Sequence, residues 1–366
     1  MTAVIRRLHA PKLESLFIAA IVLFGFARGL QPISDNSMLT HLRTGIDMVA
    51  GKGIPRTDPY SFTALGHTWV VQSWLPEWSY GWAHNLGGYR LVVLEQAVVT
   101  ALLAWLIVRL ARAGSPLRTG LAGTIALGAG VAYWSPRPLL FGLVCMALLV
   151  TIVEKRRSPW WLIPLVWFWV QSHGSFPLGL VWLGARAVGE GIDWRAWPGE
   201  TIRYIMGFVA GLAVAIINPL GAKLLAFPLT LGEKRSIFSG IVEWQSPNFQ
   251  KSGGRFTLVF LILAVALLIR FRVPWRDVVP VIVFFAAALV AVRNIPMAAI
   301  VLAPCLGRAL KRPDTSAARN VERQPDTASR LRLQRVATAV LGVAFLLFGT
   351  SVALGPESDA LALEGY

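Results

Sequence analysis

Long apolar runs closed by short clusters of arginine and lysine dominate this chain, and they leave few folds open to it. The runs lie near 13–30, 89–108, 119–134, 138–153, 160–171, 176–189, 202–217, 256–269, 278–292, 295–309 and 336–354. A helix needs about 20 apolar residues to cross the hydrocarbon of a bilayer, and many of these runs come close to that. A soluble domain would surround its core with charge. Here only 15% of the 366 residues are charged and 55% are hydrophobic. Proline and glycine are frequent inside the runs, as they are in membrane helices whose neighbours re-satisfy the freed backbone groups. The pattern predicts an all-α, polytopic integral membrane protein with about 11 transmembrane helices. The fifth and sixth runs are short, and that pair also reads as a tilted or re-entrant hairpin.

The net charge of +16 is spread in clusters between the runs, a placement that argues against a nucleic-acid partner. With the N-terminus in the cytoplasm, most of the 35 lysines and arginines fall inside, which orients the chain in the inner (plasma) membrane. Two long segments, 31–88 and 218–255, then stand outside. Residues 1–310 read as the membrane domain, 311–335 as a basic cytoplasmic linker, and 336–366 as a last span with a short outer tail. Arg6, Arg7 and Lys12 precede an uncleaved first helix. Cys145 and Cys305 both fall within spans, so the cysteines support neither a disulfide framework nor a thiolate metal site.

The first outer segment is the richest in chemistry. Met38, Leu42, Ile46 and Val49 recur at helical spacing, while Thr40, Arg43 and Asp47 take other faces. This predicts an amphipathic helix lying along the membrane interface, with Ser34 or Asp35 at its N-cap. Asp35 carries two readings: a cap carboxylate favoured by the helix dipole, and a general base at the membrane surface. Asp58 precedes Pro59 and reads first as turn chemistry. Trp69, Trp74, Trp78 and Trp82 read as an aromatic belt or, less simply, as a sugar-stacking surface. His67 and Glu77 are polar groups in apolar surroundings with no metal-ligand spacing. Glu95 lies inside the second span and needs a partner or a cavity there.

An Asp after the first helix is followed by His41-Leu42-Arg43-Thr44-Gly45 and by Gly53-Ile54-Pro55-Arg56-Thr57-Asp58-Pro59-Tyr60-Ser61. A tryptophan-rich stretch then runs through Gln72 to Glu77. Downstream come Arg137-Pro138, His173-Gly174, Asn218-Pro219, Glu243-Trp244 and Arg293-Asn294-Ile295-Pro296. Over residues 13–310 this order resembles the bacterial membrane glycosyltransferases of the GT-C type, which use polyprenyl-phosphate-linked donors. The resemblance implies a lipid-linked sugar donor, an acceptor (glycan, lipid or protein) reached from the outer face, and an inverting single displacement. It carries the catalytic aspartate of the first outer loop onto Asp35. Many members have an acidic pair there, whereas this chain has Asp35-Asn36; the resemblance names no cofactor and leaves a divalent metal open.

Asp35, Arg137, His173, Asn218, Glu243 and Arg293 all fall on the outer side of the charge-derived topology. Arg137 and Arg293, each at the outer end of a span, are placed either to hold a polyprenyl phosphate or to snorkel to the interface. His41, Arg43, Asp58, Gln72, Glu77, His173, Glu243 and Asn294 complete the candidate substrate-binding set. Two other classes stay open. A transporter or lipid flippase would place polar groups near the midplane, and a non-catalytic relative would serve as a subunit of an envelope-assembly complex.

Overall fold

The computed structural model describes residues 13–33, 35–233, 241–271 and 273–311, together with helical positions 335, 336, 339, 340, 342, 343, 346, 347 and 350. Ser34, the N-terminal basic residues, most of the linker and the acidic tail lie outside the described residues. Every regular element within them is helical; an isolated antiparallel bridge joins Thr57 and Thr68. Among the described residues twelve α-helices follow one another between Leu13 and Leu310: α1 Leu13–Gly29, α2 Asn36–Asp47, α3 Trp74–Leu110, α4 Pro116–Gly130, α5 Leu139–Glu154, α6 Leu162–Ser172, α7 Pro177–Trp194, α8 Gly199–Val214, α9 Lys223–Glu233, α10 Ser252–Arg270, α11 Trp275–Val290 and α12 Ile295–Leu310.

α12 is the axis of the bundle. It is buried almost throughout, packing on α4 and α11, and α3 joins α1, α2 and α5 on the other flank. α7 lies along α11, and α6 along α8. Large apolar side chains nevertheless face outward, among them Val98 on α3, Val188 on α7, Met206 on α8, Ile262 on α10 and Ile282 on α11. Among the described residues two helices, α3 and α10, are long and apolar enough to cross a membrane.

The described helices begin and end close to the first ten expected runs, with three differences, while most of the eleventh, 336–354, lies outside the described residues. α3 starts at Trp74 and is broken at Gly87 and Gly88; Gly88 has φ 65, a left-handed conformation that L side chains rarely adopt. The apolar part after the break, 89–110, is roughly 33 Å long at 1.5 Å per residue. α9 forms inside the segment read as the second outer loop, tolerating Pro228 within it. The third difference concerns α2. Its stripe was expected to face acyl chains, yet Met38 (0% exposed) and Leu42 (2%) pack with Tyr80, Val92 and Val93 of α3. Protein covers the face that lipid was expected to cover.

Candidate functional site

Asp35 is the N-cap of α2: its Oδ1 accepts from the Ser37 N–H at 2.9 Å and from the Ser37 hydroxyl at 2.6 Å. Oδ2 accepts from the Ser135 hydroxyl at 2.6 Å and stands 3.5 Å from Arg137 Nη1. Burial works to raise its pKa, but the bonds from Ser135 and Ser37 and the Arg137 charge outweigh burial and hold the carboxyl below its ordinary value. Both oxygens are thus committed to cap, hydroxyl and guanidinium.

α2 reaches α3 at a crossing of two glycines. A Cβ on Gly45 would lie 1.8 Å from the Glu77 carbonyl oxygen, and one on Gly81 would lie 2.2 Å from the Gly45 oxygen. One turn back from each glycine sit His41 and Glu77, because residues four apart share a helix face. The close crossing presses them together, with His41 Nδ1 2.7 Å from Glu77 Oε1. Glu77 is buried, and its Oε2 has no hydrogen-bond partner among the described residues.

His41 forms part of the wall of a cavity of about 210 Å³ shared with Gln72, Ser73, Arg137, His173, Phe227, Glu243 and Arg293. Arg137, at the start of α5, pairs with Glu243 and with Asp35 behind it. Arg293 sits in the turn between α11 and α12, with its guanidinium carbon 4.1 Å from the centroid of the Trp244 ring. The Val292 N–H donates to Gln245 O at 3.0 Å, so the 241–245 segment is laid against that turn. No hydrogen bond or ion pair holds the Arg293 guanidinium among the described residues, and burial lowers its pKa from the ordinary arginine value. The stack on Trp244 orients the cation and leaves its in-plane donors open.

His173 ends α6 and enters the same cavity. Its Nδ1 accepts from the Ser175 N–H at 3.2 Å and lies 2.9 Å from the Ser175 hydroxyl, which itself accepts from Trp169 Nε1 at 3.1 Å. Those donors place the ring proton on Nε2. Burial, with Arg293, Arg137 and His41 nearby, lowers its pKa to about 3 and keeps the ring neutral. Gln72 is held by the Val170 carbonyl, to which its Nε2 donates at 3.0 Å. The cavity therefore combines two cations and one neutral donor with the Glu243 carboxylate.

Other expected residues are placed elsewhere. Arg43 lies 3.4 Å from Asp47, which also receives Lys52 and the Tyr60 hydroxyl, each at 2.9 Å. Asp58 accepts from the Tyr60 and Ser61 backbone N–H groups and closes a turn with Gly66 and His67. Asn294 donates to Ala287 O at 3.0 Å and braces the α11–α12 junction. Glu95 accepts from the Ser79 hydroxyl within α3. Trp78 and Trp82 are exposed and stack edge to face, whereas Trp74 Nε1 donates to Gln171 Oε1. Among the described residues no group of three or more His, Cys, Asp or Glu side chains is placed to hold a metal ion.

No family model matches the chain, and no curated protein matches it. A second polar centre, unforeseen in the sequence, lies at the other end of α5 and α12. Glu154 binds Arg186 at 2.7 Å and Arg308; Arg308 also pairs with Asp277, and Arg186 approaches Glu190 at 3.2 Å. Arg186 and Arg308 entered the sequence reading only as inside charges. Their acidic partners come from three helices: Glu154 from α5, Glu190 from α7, four residues beyond Arg186 on the same helix, and Asp277 from α11.

Proposed function

We propose that this chain is a polytopic membrane transferase that takes a sugar from a polyprenyl-phosphate carrier and passes it to an envelope acceptor. The observation that carries the reading is Arg293: a half-buried guanidinium, oriented by Trp244 and without an ion pair among the described residues, facing the same cavity as Arg137. An unpaired cation in a confined space is costly unless an anion completes it. Arginine's planar fork suits a phosphate better than lysine's point charge does. His173 Nε2–H supplies a third donor to the same volume.

Support for the membrane reading comes from the outward apolar side chains on α3, α7, α8, α10 and α11, and from two polar centres at opposite ends of α5 and α12. In this reading the hydrocarbon lies between those centres, with the cavity outside and the N-terminus in the cytoplasm. The donor's phosphate rests between Arg137 and Arg293 while its isoprenoid tail runs along the apolar flank. Asp35 holds Arg137 in place, and the cavity floor between His41 and Glu243 receives the acceptor. The resemblance to GT-C glycosyltransferases supports the same assignment.

The test is release of the carrier. Purified protein is incubated with a panel of farnesyl-phosphoryl hexoses and pentoses plus an envelope extract as acceptor. The reading expects farnesyl phosphate to appear with at least one donor and to fall at least tenfold in Arg293→Gln. Movement of intact donor across liposomes, with no cleavage of any donor, would instead establish a flippase.

A further inference from the structure

We infer that His41, oriented by Glu77, is the group that takes the acceptor's proton in this cavity. The inference rests on the transferase reading and names a residue for its least determined step. Glu77 is buried at 1% exposure, its Oε1 meets His41 Nδ1 at 2.7 Å, and Oε2 has no hydrogen-bond partner among the described residues. A carboxylate with one partner fixes that partner's tautomer: Nδ1 carries the hydrogen and Nε2 keeps its lone pair. His41 lines the cavity, and with Nδ1 occupied the lone pair on Nε2 is the one left for a ligand. His173 is set the opposite way by Ser175, with Nδ1 as acceptor and Nε2 as donor. The two histidines thus bring complementary functions, one accepting a proton and one donating a hydrogen bond.

Asp35 is less suited to the same step. Its oxygens already accept from Ser37 twice and from Ser135, face Arg137, and are not part of the cavity lining. A proton moved to Asp35 would have to displace one of those bonds. A proton moved to His41 creates an imidazolium beside the Glu77 carboxylate, the one charge Glu77 lacks.

The step balances as follows. The acceptor hydroxyl gives its proton to His41 Nε2 as its oxygen forms a bond to the anomeric carbon. The bond from that carbon to the phosphate oxygen breaks, and its electron pair leaves with the polyprenyl phosphate, held by Arg137 and Arg293. The imidazolium returns its proton to water after the products depart. Catalysis by such a positioned base is worth about 10²–10⁴-fold in rate.

The full-length protein in detergent is treated with diethyl pyrocarbonate at pH 7, with and without farnesyl phosphate, and the labelled histidines are mapped by mass spectrometry. Exposed His67 serves as the internal reference. The inference expects His41 to be labelled, and labelling to slow at least tenfold when farnesyl phosphate is bound, with His67 unaffected. Glu77→Leu, which removes the tautomer lock, slows His41 labelling severalfold. An unlabelled His41 beside a labelled His67 overturns the inference, whatever the ligand does. Labelling without protection, when farnesyl phosphate binds by calorimetry, also overturns it and leaves the transferase reading standing. Absence of farnesyl phosphate binding in calorimetry removes the transferase reading itself, and this inference with it.

Discussion

Gly45 of α2 and Gly81 of α3 meet backbone to backbone, and that contact sets the His41–Glu77 pair one turn away. A Cβ at Gly45 would stand 1.8 Å from the Glu77 carbonyl oxygen, so the helices must part to admit it. Gly45→Ala is expected to destabilise the protein by about 1–3 kcal/mol, the usual penalty of overpacking. Gly184, where an added Cβ meets nothing within 4 Å, is the control. Thermal unfolding in detergent should show a lowered midpoint for Gly45→Ala and none for Gly184→Ala.

Glu154 holds Arg186 and Arg308 together at the opposite end of the bundle from the cavity. Removing one member of a buried charge network leaves the others uncompensated, at a cost of about 3–5 kcal/mol. Glu154→Leu should therefore unfold at a markedly lower temperature than the wild type, while Glu14→Leu, whose partner Arg112 is exposed, should not. Equal midpoints for the two variants would remove the structural role given to this network.

The sequence made the helices legible because each apolar run has one period and one length, whatever it packs against. It also placed Asp35, Arg137, His173, Glu243 and Arg293 at one end of the chain's path, since charge punctuation marks the helix ends. What it could not give were the pairings. His41 and Glu77 are 36 residues apart, and Arg137 and Glu243 are 106 apart. The signal that joins α2 to α3 is a pair of glycines that look like any others. The stripe of Met38 and Leu42 was readable as apolar, yet a stripe does not say whether lipid or protein will cover it. Helix α9 was hidden by Pro228 and by the turn at Asn218-Pro219, which read as loop.

Neutral His173, half-buried in the cavity wall, makes the protein sensitive to acid. Its pKa is lowered to about 3 from the ordinary histidine value of 6.5. The unfolded chain takes up this proton as pH falls through 6.5, whereas the folded chain refuses it until about 3. Stability from this group is whole above pH 6.5 and is lost progressively as pH falls toward 3. The advantage of wild type over His173→Gln in unfolding temperature should hold from pH 8 to 7 and shrink steadily from pH 6 to 4. An advantage that stays constant across this range would contradict the assigned environment.

The central claim is that the cavity holds a lipid phosphate through Arg137 and Arg293. Isothermal titration of farnesyl phosphate into the purified protein tests it most directly, with farnesol as the uncharged control. The account predicts that farnesyl phosphate binds and farnesol does not, and that Arg293→Gln weakens binding by about 10- to 100-fold, the worth of a charge-assisted bond of about 1.5–3 kcal/mol. Equal affinity of the two ligands, or an Arg293→Gln variant that binds as tightly as wild type, would contradict it.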